Sequence, residues 1–351
     1  MVGAQGASSP LAFLLKALPP VEFAAAYGSG VFKQFGSAAV SKATKVIDYI
    51  LAVEDAERWH AENARLNPRH YSSLARVLGG ERTARLADGA GLGVHFNPYV
   101  QVEGKLCKYG VVSTRRLARD LEQWDHLYLA GRLHKPVRRL AATPAIERAM
   151  RINFRSAICA ALLLLPEQFA KRDLYREICT LSYRGDVRMA FAEDKSKIEN
   201  IVAGSEEELD GIYLGEVEGP CGAMAGLRRL EGGDDPLAWS QEEGSASSRA
   251  ELLTHLPRSV LAELSGRVPA SASACADPRR LGSPEARWSL AMDLARRREE
   301  MRGALRDTLA ARVRAASLRQ AGYGFLTTDF GKSTHYLWQK LQKAFMTRKP
   351  K

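Results

Sequence analysis

Residues 46–53 read Val-Ile-Asp-Tyr-Ile-Leu-Ala-Val. Seven of these eight side chains suit a strand covered on both faces, and Asp48 is the exception. A carboxylate among apolar neighbours is costly unless a cation offsets it, either an internal lysine or arginine or a bound metal. Just upstream, the apolar stretch Val21–Tyr27 runs into Gly28-Ser29-Gly30, which reads as a strand ending in a tight turn. Glycines there let backbone amides approach an anion closely, and the serine adds a hydroxyl donor. Turn and acid together suggest a triphosphate cradle in which Asp48 holds Mg²⁺, an ion that takes one or two protein carboxylates and completes its shell with phosphates and water.

Working outward, Gly93–Val102 and Lys105–Ser113 form a candidate hairpin turned by Glu103-Gly104. A helix with the apolar stripe Leu117, Leu121, Trp124 and Leu127 follows. A short helix is expected around Pro10–Ala17, so residues 1–135 read as α+β. From Ala145 to Arg184 the pattern is helical and sets off a second unit, residues 136–205. Residues 206–283 carry acidic clusters among Gly, Ser and Ala and read as variable insertion or loop. Residues 284–351 are helix-forming and end in an amphipathic basic segment, where Leu337, Trp338, Leu341 and Phe345 share one face beside Lys340 and Lys343. That face suits an anionic membrane surface.

The 351 residues, 46% hydrophobic and 26% charged, exclude a wholly disordered or collagenous chain. The longest apolar run, Ala157 to Leu165, is too short for a membrane span. Five scattered cysteines give no zinc or redox pair and imply a reducing compartment. A net charge of +11 favours phosphate-rich partners.

A strand, a Gly-Ser turn and an aspartate on the next strand resemble the nucleotidyltransferase superfamily, although the second acid usual two residues on is replaced by Ile50. Longer stretches resemble one family, the mitochondrial phosphatidate cytidylyltransferases, also described as mitochondrial translocator assembly and maintenance proteins. They include Tyr27-Gly28-Ser29-Gly30-Val31, Asp48–Val53, Trp59-His60, Lys108–Ser113, Ala130-Gly131-Arg132-Leu133, Gly185-Asp186 with Arg188-Met189, Glu193-Asp194-Lys195 and Tyr336–Leu341. Residues 206–283 show little of the likeness.

The resemblance implies a nucleotidyltransferase-fold mixed sheet, then a mainly helical, winged-helix-like domain. It implies that CTP and phosphatidic acid are converted to CDP-diacylglycerol and pyrophosphate with Mg²⁺, for phosphatidylglycerol and cardiolipin synthesis. Location would be peripheral, on the matrix side of the mitochondrial inner membrane. Asp48 and Asp186 would hold the metal and Lys108 would neutralise pyrophosphate charge. Tyr27, Gly28, Ser29, Gly30, Lys108 and Tyr109 would bind nucleotide, and Arg132, Lys135, Lys195 and Lys197 would bind the substrates. His60 and His70 are expected to be structural. Rival readings are an RNA nucleotidyltransferase and a non-catalytic assembly factor for inner-membrane translocators. No nucleic acid is expected, because basic and aromatic residues do not interleave on the strands.

Overall fold

The computed structural model describes residues 9–32, 46–191, 196–231, 237–241, 245–268 and 281–327. Its centre is a mixed five-stranded sheet in the order β3-β4-β2-β1-β5. The strands are β1 (Phe23–Tyr27), β2 (Ile47–Val53), β3 (Val94–Val102), β4 (Lys105–Ser113) and β5 (Arg138–Ala141). Strand β2 is antiparallel to β1 and parallel to β4. The α+β expectation therefore holds for the architecture.

Alternation along β2 explains its composition. Ile50 and Ala52 face one core, shared with Leu117, Leu121 and Trp124 of the segment after β4 and with the helix Pro144–Leu164. Tyr49, Leu51 and Val53 face a second core, closed by Phe13, Leu14, Leu18 and Trp59. With both faces covered, the strand has to be apolar almost throughout. Asp48 is half-buried rather than enclosed mid-sheet, because it is the second residue of β2 and lies near its open end.

The hairpin is as expected. Glu103 and Gly104 both take positive φ, 49° and 73°, the geometry of a two-residue turn matched to strand twist. The helix carrying the apolar stripe stops at Gln123, and Trp124 and Leu127 follow in left-handed conformations.

Three further findings concern the remainder. A small antiparallel sheet, β6 (Gln168–Ala170), β8 (Ala238–Ser240) and β7 (Arg228–Arg229), flanks the helix Lys171–Thr180. Residues 206–283, expected as loop, contain the helices Pro220–Ala225, Ala246–Thr254 and Arg258–Arg267. Their Cys221, Leu253, Val260, Leu261 and Leu264 are buried in the first core, which extends from Phe23 to Ala316. The C-terminal helices are Pro284–Arg296 and Arg298–Thr327. Lys195 and the expected membrane helix, with Leu337, Trp338, Leu341 and Phe345, lie outside the described residues. Cys107, Cys159, Cys179 and Cys221 are buried free thiols. Among the described residues no helix is long and apolar enough to cross a membrane.

Candidate active site

Strand register assembles the centre of the site. Tyr27 ends β1 opposite Asp48, and Asp48 is opposite Lys108 on β4, so three functional side chains form one row across the sheet. Gly28 follows with φ +83°, a conformation L-residues avoid. A Cβ at Gly28 would lie 3.3 Å from Asp48 Oδ2. The bend and the carboxylate are therefore in direct proximity, which is the juxtaposition the sequence predicted. Gly30 is required for a different reason: a Cβ there would meet Val46 O at 2.5 Å, so the chain leaving the bend packs against the backbone leading into β2.

Lys108 shares its face with Gly110, as alternation demands. The Phe96 ring covers Gly110, where a Cβ would meet it at 2.5 Å, and Lys108 Nζ lies 4.8 Å from that ring. Phe96 thus provides a wall against which the Lys108 ammonium rests.

Arg132 closes the row from above. It donates to the hydroxyls of Tyr27 (3.2 Å) and Tyr128 (2.9 Å), and its guanidinium lies 4.6 Å from the Tyr128 ring. Among the described residues its buried Nε has no partner. The short helix Leu129–Leu133 that carries it is fixed by Asp120, whose carboxylate accepts from the backbone N–H groups of His126, Leu127, Leu129 and Ala130. Asn153 adds a second brace by donating to Ala130 O. Burial alone would raise the Tyr128 phenol, but Arg132, then Arg188 and Lys108, outweigh it and lower it. Burial raises the Tyr27 phenol against the opposing pull of Arg132.

Lys135 extends the cationic lining. Its ammonium donates to Gly131 O and to Ser182 Oγ at 2.6 Å, and it lies 4.7 Å from the Tyr183 ring. Burial drives it down to about 7. Gly131 makes this possible, since a Cβ there would strike Ser182. Lys197 approaches the same Tyr183 ring at 5.3 Å.

Asp186 is held by a neighbour. Arg188 binds it through its backbone N–H (2.9 Å) and through Nε and Nη2. Burial would raise this carboxyl, but the hydrogen bonds and charge of Arg188 outweigh it and keep it below the usual range. Metal ligation by Asp186 would mean surrendering this pair. The turn before it packs on the helix Arg298–Thr327, where a Gly185 Cβ would strike Ala310 O. Among the described residues no three His, Cys, Asp or Glu side chains converge on one point. The Asp48 carboxylate next to the glycine bend still fits Mg²⁺, which takes most of its ligands from substrate and water.

Tyr109, grouped above with the nucleotide-binding residues, does not join this cluster. It follows Lys108 on β4 and so points to the opposite face, where Asn63 donates to its hydroxyl at 2.9 Å and His70 Nδ1 lies at 2.9 Å. His60, 2.8 Å from the Tyr71 hydroxyl, is fully buried and structural, as expected. Sequence reasoning missed Phe96, Tyr128 and the role of Arg188. Arg188 stands in a quoted motif, whereas Phe96 and Tyr128 carry no local signal.

The family profile described as mitochondrial phosphatidate cytidylyltransferase matches residues 11–343. The chain belongs to that family. A phosphatidate cytidylyltransferase of Xenopus laevis is 34% identical over 334 residues, covering 92% of this chain and 90% of its own. That of Drosophila melanogaster is 35% identical over 343 residues, covering 93% and 96%. That of Danio rerio is 44% identical over 190 residues, covering 54% and 56%. Membership of the phosphatidate cytidylyltransferase family thus extends across both the sheet and the helical part of the chain.

Proposed function

We propose that the chain is a phosphatidate cytidylyltransferase that converts CTP and phosphatidic acid to CDP-diacylglycerol and pyrophosphate. The carrying observation is the row Tyr27, Asp48 and Lys108 with Gly28 against the Asp48 carboxylate. A phosphate oxygen of the lipid attacks the α-phosphorus of CTP in line, the bond to the β-phosphate breaks, and pyrophosphate leaves. Such transfers are accelerated mainly by positioning and charge neutralisation. The five-stranded sheet would serve as the nucleotidyltransferase platform, and the helix Lys171–Thr180 with its small sheet as the winged-helix-like unit.

Residues divide by chemistry. The amides of Gly28, Ser29 and Gly30 bind the β and γ phosphates. Asp48 would hold Mg²⁺, which would offset the charge of the triphosphate. Lys108 neutralises the leaving pyrophosphate. Arg132, Lys135, Lys197 and Arg188 supply the charge for the lipid phosphomonoester and the nucleotide. Lys195 belongs to the same proposed set. Asp186 joins as a second metal ligand only by releasing Arg188, so the arrangement favours it as the group that aims that guanidinium.

A peripheral location on the matrix side of the mitochondrial inner membrane suits a lipid substrate and a phosphatidylglycerol and cardiolipin pathway. The residues Leu337, Trp338, Leu341 and Phe345 are the proposed anchor. Incubation with labelled CTP, Mg²⁺ and either phosphatidic acid or RNA tests the assignment. Lipid-soluble label that disappears in Asp48→Asn is expected. Label in RNA, or none in either, would overturn it in favour of an RNA nucleotidyltransferase or a non-catalytic assembly factor.

A further inference from the structure

From Asn63 to Gly80 the chain contains Arg65, Arg69 and Arg76 and no acidic residue, whereas acids occur throughout the flanking helices. The same stretch contributes three of the large hydrophobic side chains that the described residues leave exposed: Leu66 (62%), Leu74 (42%) and Val77 (83%). All three arginines are exposed as well, and among the described residues none of them is paired with a carboxylate. Arg65 lines a pocket with Glu62 and Glu81, which leaves Arg69 and Arg76 as the cations farthest from acids in the sequence. Single exposed leucines need no explanation, but aliphatic groups interleaved with such cations in one short segment do.

The inward side of the segment is firmly held. Asn67 donates to Ala17 O at 2.7 Å. The Tyr71 hydroxyl lies between His60 Nδ1 and Asn63 Nδ2 at 2.8 and 3.0 Å, and the Tyr71 ring stacks on His95. His95 in turn meets the Tyr323 hydroxyl at 2.7 Å. The outward side chains contribute nothing to this network. His70, through Tyr109, sets the segment at the strand level of the Asp48–Lys108 row, on the other face of the sheet.

We infer that residues 65–77 form a membrane-contact surface that docks on an anionic bilayer, with Leu66, Leu74 and Val77 at the headgroup boundary and Arg65, Arg69 and Arg76 on lipid phosphates. Aliphatic residues flanked by arginines are the chemistry of a bilayer interface. A nucleic acid would leave the aliphatic groups unused. The inference takes its choice of partner from the activity proposed above, yet vesicle binding requires no turnover, so the two can fail separately.

Flotation of the full chain with phosphatidylcholine vesicles, with and without phosphatidylglycerol, tests it; phosphatidic acid is omitted so that the substrate site does not contribute. The variants are Leu66→Gln/Val77→Gln and Arg65→Gln/Arg69→Gln/Arg76→Gln, all at exposed positions. Each is expected to reduce partition onto phosphatidylglycerol vesicles by about tenfold or more. The arginine variant should match wild type on phosphatidylcholine alone. Turnover of a short-chain, water-soluble phosphatidate should be unchanged in both. Wild-type flotation by both variants would overturn the inference. So would light scattering that shows Leu66→Gln/Val77→Gln converting a dimer to a monomer, since the surface would then join two copies of the chain.

Discussion

Gly28→Ala tests the central geometry, and the structure sets its size. Gly28 has φ +83°, and an added Cβ would lie 3.3 Å from Asp48 Oδ2, tight enough to push the carboxylate by a few tenths of an ångström. The left-handed conformation costs an alanine about 1–2 kcal/mol. Gly104 offers a matched control: its φ is +73° and nothing lies within 4 Å of its Cβ position. Gly104→Ala should therefore carry a similar backbone strain and leave the site intact. In urea titrations both variants are expected to lose about 1–2 kcal/mol of stability. In steady-state assays with CTP and phosphatidic acid they should part. Displacing a carboxylate in a site whose metal tolerates little distortion should lower kcat/KM by about tenfold or more in Gly28→Ala. Gly104→Ala should stay within about twofold of wild type. Equal activities in the two variants would refute the idea that the bend and Asp48 cooperate, because backbone strain alone would then account for the whole effect.

Three further outcomes are expected. Lys135 is held at about 7 by burial, so a bound triphosphate should recharge it. Calorimetry of CTP binding at pH 8 in buffers of different ionisation enthalpy should show proton uptake that is absent in Lys135→Met. His95 is lowered by burial to about 4; unfolded, it takes a proton near 6.5, so acid favours unfolding. Its contribution is present above pH 6.5 and is lost as the pH falls towards 4, which makes the chain about 2 kcal/mol less stable at pH 5 than at pH 7 from this group alone; denaturant midpoints at the two pH values measure it. Asp186→Asn should loosen Arg188 and raise KM several-fold without rescue by added Mg²⁺; full rescue by Mg²⁺ would instead make Asp186 a metal ligand.

The legible parts of the site were the local ones. Gly28-Ser29-Gly30 and the Glu103-Gly104 turn announce themselves because only a few residue types tolerate positive φ. Asp48 stands out because its strand is otherwise apolar. The helices between residues 206 and 283 did not announce themselves. Helices such as Pro220–Ala225, Pro-Cys-Gly-Ala-Met-Ala, are short and made mostly of small residues, so they pack closely on the core without a clear stripe. Tyr109 was misassigned because adjacency along a strand places a residue on the opposite face from its neighbour.

The sequence by itself determined where four of the five central strands run, where the chain bends after β1 and which acid faces the bend, since each depends on backbone sterics and on period-two burial within a few residues. The short edge strand β5, Arg138–Ala141, was not legible and lies beyond the expected 1–135 unit. Tertiary structure alone decided how the cations named in the sequence are held. Arg132 reaches Tyr27 across 105 positions of chain, Lys135 reaches Ser182 across 47, and Asp186 proves to be held by Arg188. Charge and hydrogen bonding act through space, and no spacing along the chain records which distant groups folding will bring together.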